Sequence, residues 1–191
     1  NSTTDPMNSD LYSINLIIST FNNPDALREI LLRVLSGSLL PESIHIADDG
    51  SGSQTREIIK SFQEKSRIKI FHHWHENAGF RKCKILNNSL AECNGDYIVF
   101  LDGDCLPLPD FIKDHRQLSQ KGYFVQGSRV LLSKSKTEEF FKYKQMKFHI
   151  FSSGIRNRMN LIHSNILSIL FNIRSNSLKG IRTCNMGFYR I

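Results

Sequence analysis

The sequence predicts an α/β domain in which a mostly parallel, Rossmann-like sheet is flanked by helices. Short apolar runs typical of buried strands alternate with segments whose apolar residues recur at helical spacing. The connections between them are short and contain turn residues. Parallel strands need crossover connections, so this alternation favours a sheet covered by helices on both faces. With 191 residues, 40% of them hydrophobic, the chain can bury the core of one ordinary domain.

Two strand-helix pairs open the chain. Residues 14–19 (INLIIS) form a continuous apolar run, and Asn23-Pro24 then begins a helix. Residues 43–47 (SIHIA) repeat the strand pattern, and a turn at residues 48–51 precedes the second helix. The apolar faces of the two helices comprise Leu27, Ile30, Leu31, Val34 and Leu35, then Ile58, Ile59 and Phe62.

Further strands and helices follow. We expect a third strand at residues 68–74 and a fourth strand at residues 97–101. Between them we expect a helix at residues 81–93, with Leu86 and Leu90 on one face. Beyond them we expect a helix over residues 109–121, one strand over residues 123–132 and a last strand that includes GFYRI. Ligands of parallel sheets bind at the carboxyl ends of the strands, so side chains at those ends are the functional candidates.

The composition changes near residue 136. From residue 137 to residue 183 the basic side chains are opposed only by Glu138 and Glu139, so this segment carries most of the net charge of +7. We expect residues 7–135 to form the ligand-binding α/β part, and residues 136–191 to be a basic segment of the same domain, incomplete at its C-terminus. Residues 1–6 precede Met7 and are interpreted as a cloning remnant.

The net charge of the chain indicates which partners it can bind, and its cysteines indicate the cellular compartment. The positive charge suits a nucleotide diphosphate, nucleic acid or acidic lipid headgroups, without choosing among them. The four cysteines lack zinc-ligand spacing, which favours free thiols in a reducing cytosol. No signal-peptide pattern is present, and the longest apolar stretch, residues 161–173, is too short to span a bilayer. We expect a cytoplasmic protein, soluble or peripheral on the inner face of the membrane.

Two carboxylates stand one residue apart after the fourth strand, in FLDGDCLP at residues 100–107. Alternate residues of an extended segment point the same way, so Asp102 and Asp104 can offer oxygens to one hard cation, and Gly103 allows close approach. Mg²⁺ and Mn²⁺ need few protein carboxylates when phosphates and water complete the shell. The alternative is an Asp-Gly turn that closes the strand.

Basic side chains mark the start of the predicted helix at residue 81. Such residues oppose the helix dipole, which indicates either a diphosphate site or solvated surface charge. They are Arg81, Lys82 and Lys84.

Histidines cluster around Trp74 and suggest a zinc site. Strand alternation, however, sends His73 and His75 to one face and His72 to the other. Zinc binding is set aside because no third ligand has suitable spacing. Trp74 is interpreted as a packing or sugar-stacking residue.

Five segments carry a resemblance to a known family. SIHIADDGS at residues 43–51 resembles the first nucleotide-binding turn of family 2 glycosyltransferases with the GT-A fold, and FLDGDCLP resembles their DxD motif. STFNNP at residues 19–24, GFRKCKILNNSL at residues 79–90 and CNMGFYR at residues 184–190 continue the likeness in family order. WHENAGFRK and CNMGFYR are most similar to the bacterial branch that elongates capsule or lipopolysaccharide sugars.

The resemblance implies roles for the matching residues. Thr20 and the Asp48-Asp49 pair would contact uridine, with one aspartate accepting a hydrogen bond from the uracil N3–H. Asp102 would face the ribose and the metal. Asp104 would ligate the Mn²⁺ or Mg²⁺ ion directly.

The resemblance also implies an inverting transfer from a UDP-sugar to an oligosaccharide or lipid-linked glycan, with no role for nucleic acid. The metal would offset the charge on the departing diphosphate while a carboxylate deprotonates the acceptor. In the family this base follows the CNMGFYR strand, so we expect it beyond Ile191 and name no catalytic residue. Glu138 and Glu139 have no context that recommends them. We therefore expect this chain alone to lack meaningful transfer activity.

Three other functions remain open. Haloacid-dehalogenase phosphatases also place a DxD after a strand, but Cys105 and Leu106 stand where that family has a hydroxyl residue. Nucleotidyltransferases have a glycine-rich loop where this chain has STFNNP. The third is a nucleotide-sugar-binding fragment without catalysis.

The basic segment is expected on the acceptor side, where an amphipathic helix could lie in an anionic headgroup layer. The alternative is that its apolar residues cover the sheet while its lysines face water. The pattern consists of Phe140, Phe141, Met146, Phe148 and Phe151, interleaved with Lys142, Lys144 and Lys147.

Overall fold

The computed structural model describes residues 12–144, 148–161 and 181–190. They form two compact units, which divide between Gln126 and Gly127. The chain returns to the first unit at Arg182, shortly before its last strand. The composition of the sequence changes later, near residue 136, and the roles assigned to the two parts stay predictions. The cloning remnant, Met146, Lys147 and residues 162–173 of the apolar stretch lie outside the described residues.

The elements follow the predicted alternation of strands and helices through the first 118 residues. The strands are β1 (Ile14–Thr20), β2 (Ser43–Asp48), β3 (Lys69–Trp74), β4 (Tyr97–Asp102), β5 (Phe124–Gln126), β6 (Leu131–Leu132), β7 (Ile155–Arg156) and β8 (Asn185–Tyr189). The α-helices are α1 (Pro24–Leu35), α2 (Ser53–Lys65), α3 (Lys82–Glu92), α4 (Phe111–Leu118) and α5 (Lys134–Tyr143).

A six-stranded sheet in the order β3-β2-β1-β4-β8-β5 organises the first unit. β1 pairs in parallel with β2 and β4, and β2 pairs in parallel with β3. β8 is antiparallel to both β4 and β5. Every residue of β1 is buried, as its continuous apolar run predicts for a central parallel strand. The mostly parallel α/β sheet is confirmed.

Side chains of alternate strand residues form two apolar layers, one on each face of the sheet. On one face Leu16, Ile46 and Val99 pack in the layer that contains residues of α1, α2 and α4. On the other face Ile17 and Phe100 pack in the layer of α3. Helices therefore cover both faces, as the pattern of crossovers predicts.

The single strand predicted over residues 123–132 is wrong. The chain instead forms β5, at the edge of the six-stranded sheet, and β6, which pairs with β7 in a separate two-stranded sheet. Gly127 follows β5 directly, and a glycine weakens a strand because it has no side chain to pack. The helix predicted over residues 109–121 is also shorter, since Pro109 and Asp110 lie in a turn before α4.

In the second unit, the helix is shorter than the predicted amphipathic pattern, which runs to Phe151. α5 ends at Tyr143, where Lys144 adopts a left-handed conformation with φ of 55°. Phe140 is buried, whereas Phe151 lies beyond the helix and is exposed. The helix therefore does not extend through Phe151. Within the described ranges, no helix combines the length and the apolar character needed to cross a membrane.

Candidate functional site

The candidate site lies where β1 to β4 end at one edge of the sheet. Parallel pairing sets Thr20 opposite Asp48, and Ser19 opposite Asp102. Asp48 in turn lies opposite Trp74. β2 and β4 flank β1 on opposite sides, so the strand order reverses between β1 and β4. Open α/β sheets bind ligands in the crevice at such a reversal.

Asp48 ends β2 with a fully buried carboxylate. Its Oδ1 accepts from the backbone N–H of Ser51 at 2.8 Å, and its Oδ2 accepts from Nε2 of His72 at 3.0 Å. Burial alone would raise the pKa, but the hydrogen bonds from His72 and Ser51 hold the pKa of Asp48 below its usual value. Asp48 is therefore a fixed, ionised acceptor.

Asp49 ties the turn after β2 to the start of α3. Its Oδ1 accepts from Nε2 of His75 at 2.7 Å, and its Oδ2 accepts from the backbone N–H of Arg81 at 3.0 Å. The guanidinium of Arg81 donates to the carbonyl of Glu76. The structure thus joins Asp49 to Arg81 through the backbone of Arg81 and not through its charge.

Thr20 places a buried hydroxyl at the end of β1. Its backbone carbonyl accepts from the N–H of Asp49 at 3.0 Å, but its Oγ1 has no hydrogen-bond partner among the residues the structure describes. A buried polar group without a partner costs about 1 to 3 kcal/mol. A ligand that hydrogen-bonds to Oγ1 would remove that cost.

Asp102 and Lys82 form an ion pair on the other side of β1. The distance from Lys82 Nζ to Asp102 Oδ1 is 2.5 Å, and Ser19 Oγ donates to the same oxygen at 3.3 Å. Both charged side chains are about one quarter exposed, at 24% and 23%. This contact explains why basic Lys82 is tolerated in the first turn of α3, since a carboxylate offsets its repulsion from the helix dipole. Lys84 is exposed.

Asp104 lies in a turn and not on an extended segment. β4 ends at Asp102, and the N–H of Cys105 donates to the carbonyl of Asp102 at 3.0 Å. The prediction that Asp102 and Asp104 point the same way along an extended segment is therefore wrong, because the chain turns at Gly103. Asp104 is exposed, and its Oδ1 accepts from Sγ of Cys105 at 3.3 Å. Burial, reinforced by the Asp104 charge, raises the pKa of the Cys105 thiol to about 12.

The carboxylates of Asp102 and Asp104 are of the chemical type that a hard divalent cation binds. No group of three or more His, Cys, Asp or Glu side chains is placed to hold a metal in the described part of the chain. Mg²⁺ and Mn²⁺ bind through one or two carboxylates together with substrate phosphates, so they do not require such a group. The residues present fit a metal that arrives with a phosphorylated ligand.

The histidines position the paired aspartates, a role that the sequence did not predict. His72 binds Asp48 on one face of the sheet, and His75 binds Asp49. His73 instead pairs with the buried His45, at 2.9 Å between His73 Nε2 and His45 Nδ1. The predicted separation of His72 from His73 is confirmed. Acidic residues at the end of one predicted strand and histidines at the end of the next were the available signal.

Two exposed aromatic side chains near the strand ends were not among the predicted site residues. Phe21 follows Thr20 and is 50% exposed, and Phe80 precedes Arg81 and is 86% exposed. Trp74 donates from Nε1 to the carbonyl of Ser51 at 3.2 Å, so it packs on the turn after β2.

We expect Gly103→Ala to destabilise the fold by about 1 to 3 kcal/mol, the usual cost of forcing extra atoms into a packed site. A Cβ at Gly103 would lie 2.2 Å from the backbone carbonyl oxygen of Ser19, which cannot rotate away. Urea unfolding measures the effect. The control is Gly52→Ala, since the nearest atom to that Cβ would be Asn22 Oδ1 at 4.0 Å. Equal stability of the two variants would show that the turn is not held against β1.

Comparison with solved structures establishes the class of fold. A mannosyltransferase from Pyrobaculum calidifontis, solved in complex with GDP-Man and Mn²⁺, matches with a TM-score of 0.53 and 20% sequence identity. The match covers 62% of this chain and 36% of that chain. The fold is the GT-A fold.

The chain belongs to glycosyl transferase family 2, whose family model matches residues 15–181. Poly-beta-1,6-N-acetyl-D-glucosamine synthase of Staphylococcus aureus is 30% identical over 97 residues, which are 51% of this chain and 23% of that protein. A GalNAc(5)-diNAcBac-PP-undecaprenol beta-1,3-glucosyltransferase of Campylobacter jejuni is 26% identical over 122 residues, which are 63% of this chain and 39% of that protein. The chain therefore spans less than half the length of these relatives.

Proposed function

We propose that this chain is the donor-binding part of a glycosyltransferase that moves a sugar from a UDP-sugar to a glycan acceptor, with inversion and with a divalent metal. The observation that carries the proposal is the pairing of β1 with its two neighbours. On one side Thr20, with its unpartnered buried hydroxyl, lies opposite Asp48. On the other side Ser19 contacts Asp102, which pairs with Lys82. Polar groups suited to a nucleoside and charged groups suited to a diphosphate thus share one edge.

Uridine is assigned to the Thr20 and Asp48-Asp49 side. The uracil N3–H is a hydrogen-bond donor, and an ionised carboxylate is an acceptor only. One of the two aspartates can therefore accept a hydrogen bond from the N3–H. His72 and His75 hydrogen-bond to these carboxylates and hold them in place. Because the two side chains are already ordered, little conformational entropy is lost when the ligand binds. The hydroxyl of Thr20 supplies a further hydrogen bond to the nucleoside.

The diphosphate and the metal are assigned to the Asp102 side. Asp102 and Asp104 would hold Mn²⁺ or Mg²⁺, and Lys82 would meet the diphosphate, with Arg81 beside it at the start of α3. The bound metal would supply positive charge that stabilises the departing diphosphate. The presence of Mn²⁺ together with GDP-Man in the solved complex of the P. calidifontis mannosyltransferase supports this assignment.

No described carboxylate is proposed as the catalytic base. Glu138 and Glu139 lie on α5 and face lysines of the same helix, at 4.0 Å from Glu138 Oε1 to Lys134 Nζ and 2.6 Å from Glu139 Oε2 to Lys136 Nζ. These contacts are ordinary helix-surface ion pairs. The position of the base, which the family resemblance places after the CNMGFYR strand, stays a prediction.

The acceptor is proposed to be an oligosaccharide or a lipid-linked glycan. The C. jejuni relative is named for a glycan carried on PP-undecaprenol, which supports a lipid-linked acceptor. Peripheral contact with the inner face of the membrane stays a prediction, supported by the exposed Tyr143 and Phe151 and by the neighbouring lysines of the second unit. The cysteines are free, which supports the cytoplasm as the compartment.

A thermal-shift screen of nucleoside diphosphates, each with Mn²⁺ or with chelator, tests the proposal. UDP with Mn²⁺ is expected to raise the melting temperature, because a ligand at about 100 times its Kd adds about 2.7 kcal/mol of stability. Equal shifts with UDP and GDP, or with Mn²⁺ and chelator, would contradict the uridine and metal assignments respectively. A panel of UDP-sugars then identifies the donor.

Turnover separates a transferase from a binding fragment. Family membership argues against the phosphatase and nucleotidyltransferase alternatives, but a nucleotide-sugar-binding part without catalysis would pass the thermal-shift screen. Release of UDP from a UDP-sugar in the presence of a glycan acceptor distinguishes them. The comparison uses this chain and a version extended at its C-terminus, which is expected to be the active one.

A further inference from the structure

The ion pair between Lys82 and Asp102 joins two residues with competing tasks. Asp102 is a proposed metal ligand, and Lys82 is a proposed partner of the diphosphate. Yet Lys82 Nζ lies 2.5 Å from Asp102 Oδ1, where a cation bound to that oxygen would also lie. An ammonium group and a divalent cation repel each other strongly at such a distance.

We propose that Lys82 is an exchangeable counter-ion that makes metal binding depend on the nucleotide. Without nucleotide, Lys82 neutralises Asp102 and weakens the binding of a free divalent cation. When the diphosphate enters, Lys82 moves from Asp102 to a phosphate oxygen, and the Asp102 carboxylate turns to the metal. This exchange rests on the proposed function, because it needs a diphosphate ligand.

The local geometry allows this exchange with side-chain motion alone. Asp49 holds the backbone N–H of Arg81, so the residue before Lys82 is anchored. Ser19 Oγ keeps a hydrogen bond to Asp102 Oδ1. Lysine carries a compact charge on a flexible four-carbon stem, and this one is 24% exposed, so its ammonium group can change partners.

The exchange has a thermodynamic consequence that can be measured. If Lys82 opposes the metal when alone and assists the nucleotide when it is bound, the two ligands strengthen each other, and by linkage each does so equally. Removing the charge of Lys82 strengthens the binding of Mn²⁺ alone and weakens the binding of UDP. Loss of an ordinary ligand-binding lysine would produce only the second effect.

The experiment measures Mn²⁺ binding by electron paramagnetic resonance of the free ion, with and without UDP. Wild type, Lys82→Met and Lys82→Gln are compared with Lys60→Met, which removes the same charge from an exposed position on α2. Without UDP, both Lys82 variants are expected to bind Mn²⁺ about tenfold more tightly than wild type. Lys60→Met is expected to match wild type. The factor by which UDP enhances Mn²⁺ binding is expected to shrink in the Lys82 variants.

The outcomes separate this inference from the function on which it rests. Wild-type binding of UDP with Mn²⁺, together with unchanged or weaker Mn²⁺ affinity in the Lys82 variants, overturns the exchange and leaves the proposed function standing. A wild-type chain that binds no UDP with Mn²⁺ overturns both. Circular dichroism confirms that each variant is folded, and Lys82→Gln serves if Lys82→Met does not fold.

Discussion

In the presence of Mn²⁺, the Asp104→Ala variant is expected to bind UDP at least about a hundredfold more weakly than the wild-type chain, since loss of groups that merely support a metal ligand already costs 10- to 100-fold. The resemblance to family 2 glycosyltransferases assigns Asp104 as the direct ligand. Removing that carboxylate removes one of the two proposed protein ligands of the metal that contacts the diphosphate. Isothermal titration calorimetry with and without chelator measures the effect.

The position of Asp104 makes this variant a clean test. Its side chain is exposed in the turn after β4, and the contact described for its carboxylate is with the neighbouring Cys105. Surface changes of this kind usually alter stability by less than about 0.5 kcal/mol. A loss of UDP binding can therefore be assigned to the ligand site and not to unfolding.

Two controls accompany Asp104→Ala. Asp104→Asn keeps the shape of the side chain but lacks its charge, and should also lose most of the binding. Glu57→Gln removes a carboxylate charge from an exposed position on α2 and should leave UDP affinity unchanged. Equal UDP affinity in wild type and Asp104→Ala would show that Asp104 is not a metal ligand.

Between pH 8 and pH 5, the free energy of unfolding is expected to fall by about 4 kcal/mol, with about 2 kcal/mol from each of two buried histidines. His45 is 2% exposed and His115 is 3% exposed. Burial, with a smaller contribution from the neighbouring His73, lowers the pKa of His45 to about 4. Burial also lowers the pKa of His115 to about 4, although Asn185 and Asp114 act in the opposite direction. In the unfolded chain a histidine has a pKa near 6.5.

The sign of the pH dependence follows from these pKa values. Each folded-state pKa lies below the unfolded one, so between about pH 6.5 and pH 4 the unfolded chain binds more protons than the folded protein. The stability associated with the neutral histidines is thus complete above pH 6.5 and is lost as the pH falls toward 4. The pKa of His73 is lowered as well, which acts in the same direction. Asp48 titrates below this window.

Urea unfolding at the two pH values, with one variant, assigns the effect. His45→Gln has no titrating group and should show a pH difference about 2 kcal/mol smaller than wild type, although it will be less stable at pH 8. His149→Gln is the control, because His149 is exposed. A pH difference in His45→Gln as large as in wild type would mean that His45 is not the group responsible.

The sequence alone determined the order of elements and the chemistry at the strand ends. Continuous apolar runs identified β1, β2 and β4 because a central parallel strand is buried on both faces. Helical periodicity identified α1 to α3 for an equally local reason. The order of the elements along the chain then placed Thr20, Asp48-Asp49 and Asp102 at the carboxyl ends of strands. The resemblance to family motifs implied that these residues contact a nucleotide.

Only the tertiary structure decided which of these groups meet. Ser19 and Asp102 are far apart in the chain and become neighbours through the register of β1 with β4. Lys82 reaches Asp102 because α3 packs on that face of the sheet. The turn at Gly103 likewise depends on packing, because it lies against the backbone of β1. Periodicity records which face each residue buries, whereas register and turns follow from contacts between distant segments, which a local pattern does not contain.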